Sequence, residues 1–165
     1  MDTNRHELIS RAAQFRRDNE PEKALEVLFE LRKPSPDNPE INYQIAWTYD
    51  SMGKESDAVP FYEEALAKGL FGNDREGAFL GLGSTYRCLG EYKKSQAVLE
   101  RGVAEFPDSR ALNIFYALTL YNCKKSAEAI GILLNQLLDT TGDSKIKSYD
   151  RALRFYADKL DEVWK

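Results

Sequence analysis

The chain has 165 residues, of which 42% are hydrophobic and 30% are charged, and its net charge is −4 at pH 7. This length fits a single domain with one hydrophobic core, and a mean hydropathy of −0.55 excludes a protein embedded in a membrane. A mildly acidic chain without a basic stripe is not expected to bind nucleic acid, because phosphate neutralisation supplies most of that affinity.

Helix start and stop signals divide the chain into pairs of helices. Pro21 occupies a first helical position, where its missing N–H costs nothing, and the prolines at 34–39 end the second helix. Gly53 and Gly90 are helix stops, and Pro60 is expected in the first turn of its helix. The predicted helices span residues 5–18, 21–33, 40–52, 57–68, 76–89, 92–105, 109–122, 127–138 and 144–163.

A set of small residues returns at intervals of 34, 37 and 34 residues along the chain. Its members are Ala12, Ala46, Gly83 and Ala117. Three positions later a large residue follows each of them, namely Phe15, Tyr49, Tyr86 and Leu120. Twelve positions later a second small residue follows, namely Ala24, Ala58, Ser95 and Ala129. Self-similarity at this period predicts a solenoid of stacked units, in which small residues allow close helix approach and Phe15, Tyr49, Tyr62 and Tyr86 fill the core.

This pattern resembles the tetratricopeptide repeat family, in which a large residue, Leu-Gly, Tyr, Ala, Phe and Pro recur at set offsets. Residues 69–85 are similar to small stand-alone bacterial members of that family. The resemblance implies an all-α fold, a right-handed α–α superhelix (solenoid) of four helical hairpins with a C-terminal capping helix, in one domain of residues 1–165. The repeats are expected at about 5–38, 39–72, 76–109 and 110–142, and the capping helix at about 144–163.

The interval between the second and third units is three residues longer than the others, and the surplus falls in residues 68–75. Gly69, Gly72 and Asn73 predict a loop in this segment. Two interpretations of Phe71 within it stay open. Its side chain packs on the core, as most Phe side chains do, or it belongs to a binding loop.

The C-terminal part of the sequence carries an amphipathic segment and several lysines. The apolar side of the last helix is expected to cover the end of the fourth unit through Tyr149, Ala152, Leu153, Tyr156 and Leu160. The lysines are expected to form a local basic end with a solvated surface: Lys124, Lys125, Lys145 and Lys147.

The resemblance implies that the first helix of each hairpin lines an inner, concave groove, which is the candidate site for a partner. Its predicted partner-binding residues are Ile9, Arg16, Tyr43, Trp47, Asp50, Leu80, Ser84, Arg87, Ile114, Leu118 and Tyr121. Trp, Tyr and Arg are the residue types most frequent at binding hot spots. Three alternatives stay open: packing of these side chains against neighbouring repeats, filling of the groove by the C-terminal helix, and an ion ladder of Arg16, Asp50 and Arg87.

The predicted function is a protein–protein interaction scaffold, or adaptor, which binds a peptide or helix segment of a partner in its groove. One subclass of the family binds acidic chaperone tails through Lys, Asn and Arg, but the matching positions hold Ile9, Ala13, Gln44, Gly77 and Gly81. That ligand is therefore not expected. The alternatives are a self-associating module, with a possible homodimer, and a sensor for a small signalling peptide.

The sequence offers little material for catalysis. His6 is the only histidine, and no nucleophile–base pair, metal-ligand spacing or phosphate loop is present. We therefore expect no enzyme, no catalytic residue, no metal and no cofactor. The polar N-terminus does not have the pattern of a signal peptide, so we predict a cytoplasmic location. Cys88 and Cys123 are then expected to be free, buried thiols.

Overall fold

The computed structural model describes residues 2–164, so Met1 and Lys165 of the predicted domain lie outside the described part. Within that part the regular secondary structure is entirely helical. The helices are α1 (Asp2–Arg17), α2 (Pro21–Arg32), α3 (Pro39–Ser51), α4 (Glu55–Ala67), α5 (Gly72–Cys88), α6 (Tyr92–Glu105), α7 (Arg110–Asn122), α8 (Ser126–Thr140), α9 (Ser144–Ser148) and α10 (Asp150–Ala157). The prediction of consecutive helical hairpins is confirmed.

The helices form two compact units, Met1–Glu91 and Tyr92–Lys165. In the first unit α1 packs on α2, α2 on α3, α3 on α4 and α4 on α5. In the second unit α6 packs on α7, α7 on α8 and α8 on α10. The helices of the third predicted repeat, α5 and α6, are thus divided between the units. The assignment of all residues to a single domain stays a prediction.

The core of the first unit lies around α3. Six consecutive residues of this helix, 41–46, are buried, because α1, α2, α4 and α5 pack against it from different sides. Ala12 and Ala24 are fully buried, as expected for small residues where helices approach closely. Leu28 and Ile45 fill the space between them, and Phe15 packs at the edge of the same cluster.

Two glycines of α5 lie under the aromatic side chains of the second hairpin. A Cβ atom added at Gly77 would come within 3.2 Å of Cζ of Tyr43, and one added at Gly81 would come within 2.8 Å of Cε1 of Tyr62. Tyr62 is 1% exposed, so its ring has no free space into which to move. The tyrosine rings of the second hairpin therefore require glycine on the neighbouring helix.

The turn before α5 is shorter than the sequence indicates. Helix α5 begins at Gly72, so residues 72–75, half of the predicted loop of residues 68–75, form an additional helical turn. Arg75 stabilises this start, because its guanidinium donates to the carbonyl oxygens of Leu66 and Leu70 at 3.2 and 3.3 Å. Leu70 is buried, whereas Phe71 is 83% exposed. The interpretation that Phe71 packs on the core is therefore wrong.

Helix α4 also begins earlier than predicted, at Glu55. Pro60 is consequently its sixth residue and lies beyond the first turn, within the helix interior. There it removes the N–H that would bond to the carbonyl of Ser56. The expectation that Pro60 falls in the first turn is wrong, because the helix starts two residues before the position that the pattern indicates.

The second unit has a smaller core and an irregular C-terminal segment. Ala117, Leu120 and Ala129 are buried between α7 and α8, and the hydroxyls of Ser95 and Thr119 form a buried hydrogen bond of 2.9 Å. The segment predicted as one helix over 144–163 contains two short helices with a break at Tyr149. The second helix ends at Ala157, and the residues from 158 to 164 are turns or irregular.

Candidate functional site

The first unit exposes one tryptophan beside an arginine. Trp47 of α3 is 45% exposed, and the guanidinium carbon of Arg16 on α1 lies 3.9 Å from the centroid of its ring. This is the geometry of a cation–π contact. The ring of Tyr43, one helical turn earlier on α3, lies 5.8 Å from the ring of Trp47 at an angle of 32°. Helical spacing on α3 and the packing of α1 against α3 thus bring together three of the predicted site residues.

Two uncharged side chains hold the Arg16 guanidinium in place. One Nη atom donates to Oγ1 of Thr48 and the other to Oε1 of Gln44, both at 3.1 Å. The Thr48 hydroxyl donates in turn to the backbone carbonyl of Gln44 at 2.7 Å. Burial lowers the pKa of Arg16 from its ordinary value, an effect that nearby tyrosines only partly offset.

Asp50 has partners other than the arginines that an ion ladder requires. Its carboxylate accepts hydrogen bonds from the hydroxyl of Tyr62 at 3.3 Å and from that of Thr85 at 3.1 Å. Burial raises the pKa of Asp50, and the two hydroxyl donors counteract part of that rise. Since Arg16 bonds to Gln44 and Thr48, the structure does not form an ion ladder between Arg16 and Asp50.

The other predicted site residues of the first unit differ in accessibility. Ile9 and Tyr43 are 8% and 6% exposed and contribute mainly to the core. Burial and the nearby charge of Asp74 raise the pKa of the Tyr43 hydroxyl to about 12. The remaining three residues are on α5 and are half-buried: Leu80, Ser84 and Arg87. Within this unit, Trp47 is therefore the most exposed of the large apolar side chains in the predicted set.

The second unit presents an apolar stripe along α7. Ile114, Leu118 and Tyr121 follow each other at intervals of four and three residues, which places them on one helix face. All three are exposed, Tyr121 to 65%. An exposed stripe with this spacing can receive the apolar face of a partner helix. The α7 stripe consists of all the site residues that the sequence predicts for this unit.

The C-terminal helices do not cover the α7 stripe. Helix α10 packs on α8, where the backbone carbonyl of Ala157 approaches Gly131 and Arg154 bonds to Asp139 at 2.8 Å. Tyr149 and Tyr156, predicted to cover the end of the fourth unit, are exposed. The last helix therefore packs on the fourth unit as expected, but the expectation that these two rings cover it is wrong, because α10 meets α8 through Ala157 and Arg154.

The predicted basic end is also divided. Lys124 and Lys125 precede α8, whereas Lys145 and Lys147 follow it. The helix between them has 15 residues and is about 20 Å long, at a rise of 1.5 Å per residue. The two pairs of lysines are therefore attached to opposite ends of α8.

Sequence reasoning missed several residues of these surfaces. Gln44 and Thr48 each lie one position beyond a predicted site residue, and α3 carries other polar side chains, such as Asn42 and Ser51, so the sequence does not single them out. On α8, a second exposed apolar stripe consists of Ile130, Leu133 and Leu137. The sequence indicates this stripe by apolar residues spaced three and four apart on a helix of the last hairpin.

Three further observations concern chemistry. Among the described residues, no group of three or more His, Cys, Asp or Glu side chains could hold a metal ion. None of the helices in the described chain is long and apolar enough to cross a bilayer. Cys88 and Cys123 are free. Cys88 is exposed, which contradicts the expectation of a buried thiol, since it is the last residue of α5.

Comparisons with known proteins give a family match and similar folds. The family model described as a tetratrico peptide repeat matches residues 39–160. No curated protein matches the chain. Among solved structures, PilF of Pseudomonas aeruginosa has a TM-score of 0.73 and 14% identity, over 99% of this chain and 79% of that chain.

Two further solved structures have a similar fold. A double mutant of MamA RS-1 has a TM-score of 0.70 and 17% identity, over 95% of this chain and 96% of that chain. The nearly identical repeats of a putative kinesin light chain from Podospora anserina have a TM-score of 0.69 and 17% identity, over 92% of this chain and 84% of that chain. The prediction of an all-α fold of the solenoid type is confirmed.

Proposed function

Because the chain belongs to the tetratricopeptide repeat family, we propose that it binds a peptide or helix segment of a partner protein along the first helices of its hairpins. The family supports a protein–protein interaction scaffold in general, and such repeats are typically non-catalytic interaction modules. A cytoplasmic location belongs to the same proposal. The two free cysteines favour it, since reducing compartments keep thiols unpaired.

The observation that carries this proposal is the exposed Trp47 ring beside Arg16. A tryptophan usually has its ring buried, and exposing nearly half of it forgoes hydrophobic free energy. Gln44 and Thr48 fix the orientation of the Arg16 guanidinium beside the ring. Little conformational entropy is therefore lost when a partner binds. An immobilised aromatic–arginine pair is typical of an interaction hot spot.

A random 12-residue peptide library displayed on phage tests the proposal. We expect enriched sequences with aromatic or aliphatic residues, and synthetic copies of them should bind the purified chain. Trp47→Ala should weaken binding at least about tenfold, as expected for a hot spot. Trp164→Phe, which alters the other tryptophan, should leave the affinity unchanged and isolates the fluorescence of Trp47 for the titration. Equal binding by wild type and Trp47→Ala would contradict the proposal.

Self-association is the second candidate, and the exposed apolar residues of the second unit favour it. The α7 stripe and the stripe of Ile130, Leu133 and Leu137 expose large apolar side chains on one compact unit, and such surfaces often mark interfaces. A homodimer would bury them. Light scattering over a dilution series separates the candidates, because a mass of 18.8 kDa at all concentrations rejects the dimer.

A further inference from the structure

Arg16 is a half-buried cation whose direct partners are uncharged. Its hydrogen-bond acceptors are an amide oxygen of Gln44 and a hydroxyl of Thr48, and its third contact is the ring of Trp47. Among the described residues no carboxylate lies within ion-pair distance of it. A charge that loses hydration without gaining an opposite charge costs free energy. Burial lowers the pKa of Arg16 for this reason.

The guanidinium retains hydrogen-bonding capacity in this arrangement. It has five N–H donors, and two of them serve Gln44 and Thr48. Gln44 is 7% exposed and Thr48 is fully buried, so both acceptors are immobile. The planar group is therefore oriented before any ligand arrives, and a carboxylate can accept two parallel hydrogen bonds from such a group.

We propose that the bound segment presents one carboxylate side chain to Arg16 and places an adjacent apolar side chain on Trp47. This inference rests on the proposed function, because it names the chemistry of the segment bound at the same surface. The carboxylate supplies the opposite charge that Arg16 lacks within the chain. The exposed part of the Trp47 ring supplies apolar area next to it.

The charge of the surrounding unit limits the ligand to a single carboxylate. The unit Met1–Glu91 contains eleven Lys and Arg against seventeen Asp and Glu, a net charge of −6. Asp50 is on the same helix as Trp47. A run of acidic residues would be repelled by this field beyond its contact with Arg16. The ligand is therefore an apolar segment with one Asp or Glu, and not an acidic tail.

The test pans the same phage library against the wild type, Arg16→Gln and Arg11→Gln. Both substitutions remove one positive charge from α1, but Arg11 is exposed and contacts Phe15 instead of Trp47. We expect one Asp or Glu beside an apolar residue in the sequences enriched by the wild type and by Arg11→Gln. Arg16→Gln should enrich apolar sequences without it. The circular dichroism spectrum shows whether each variant folds, and Arg16→Met, which also removes the charge, replaces Arg16→Gln if that variant does not.

A double-mutant cycle with one enriched peptide, synthesised with a C-terminal amide, measures the pair directly. In this peptide the acidic residue is replaced by its amide counterpart, Asn for Asp or Gln for Glu. The replacement should weaken binding to the wild type about tenfold or more, as for a charge-assisted hydrogen bond, and leave binding to Arg16→Gln unchanged. With Arg16→Lys the loss should be smaller than with Arg16, because lysine lacks the planar fork. Equal losses with and without Arg16, or enrichment without acidic residues, overturn this inference while the proposed function stands. No enrichment at all overturns both.

Discussion

At the residue scale, the aromatic packing of the first unit depends on glycines in α5. The repeat pattern predicts Tyr62 and Tyr86 in the core, and both are buried. It does not predict that the ring of Tyr62 lies directly over the backbone of Gly81. The pattern records residue types along one chain, whereas this contact joins two helices that are separate in sequence.

Gly81→Ala should destabilise the chain by about 1–3 kcal/mol, because the new Cβ overlaps a buried ring that cannot move. The intrinsic preference of a helix for Ala over Gly, about 1 kcal/mol, offsets only part of this. Urea unfolding followed by circular dichroism measures the change. Gly142→Ala is the control, since its Cβ would meet no atom within 4 Å, and it should change stability by less than about 0.5 kcal/mol. Equal effects of the two substitutions would reject the explanation.

The candidate site is predictable from the sequence in part. Trp47 and Arg16 are found because the resemblance to the repeat family implies that the first helix of each hairpin lines the groove. Gln44 and Thr48 are missed, because they contact Arg16 from the buried side of α3. Of the two interpretations of Phe71, packing on the core fails because its neighbour Leu70 occupies the core instead. Such choices between adjacent residues depend on backbone direction, which periodicity does not specify.

At the element scale, helix order and length follow from the sequence more closely than helix starts do. The predicted ends agree to within a few residues, except at the start of α5 and in the C-terminal segment. The first turn of α5 is stabilised by Arg75, which bonds to the carbonyl of Leu66 in α4 and to that of Leu70 in the turn between the helices. A side chain that bonds to the end of one helix and lies at the start of the next does not change the periodicity of apolar residues. The sequence pattern therefore does not predict its effect on the helix start.

Pro60→Ala should stabilise the chain by about 2–2.5 kcal/mol. Proline in a helix interior is about 3 kcal/mol less favourable than alanine. Proline also restricts the unfolded chain, so its removal lowers the gain in stability by about 0.4–1 kcal/mol. Pro60 is exposed, so the change creates no cavity. The midpoint of urea unfolding measures the gain.

Pro36→Ala is the matched control for this substitution. Pro36 is in the turn between α2 and α3, where proline mainly restricts the unfolded chain. Its replacement should therefore leave stability unchanged or lower it by up to about 1 kcal/mol. A destabilising Pro60→Ala would show that α4 is adapted to its proline.

At the scale of the whole molecule, the two units differ in how completely their helices are packed. Helix α3 contacts four other helices of its unit and has seven buried residues. Helix α9 has none, and α10 has only Ala157. Stability is therefore expected to be uneven along the chain, with the highest local stability in the second hairpin.

Hydrogen–deuterium exchange followed by mass spectrometry should show this difference. We expect the amides of α3 to exchange most slowly and those of α9 and α10 most rapidly, since few buried contacts restrain local opening there. Helix α7, with four buried residues, is the internal reference in the second unit. Protection of α10 equal to that of α3 would contradict the expectation.

The outward position of Phe71 also has a practical consequence. The segment that carries it is short and has glycines at positive φ on both sides, Gly69 at 87° and Gly72 at 61°. Exposed loop tips of this kind are preferred sites for proteolytic cleavage and tolerate inserted sequence. The chain is therefore expected to tolerate cleavage or an inserted sequence on the C-terminal side of exposed Phe71, away from buried Leu70.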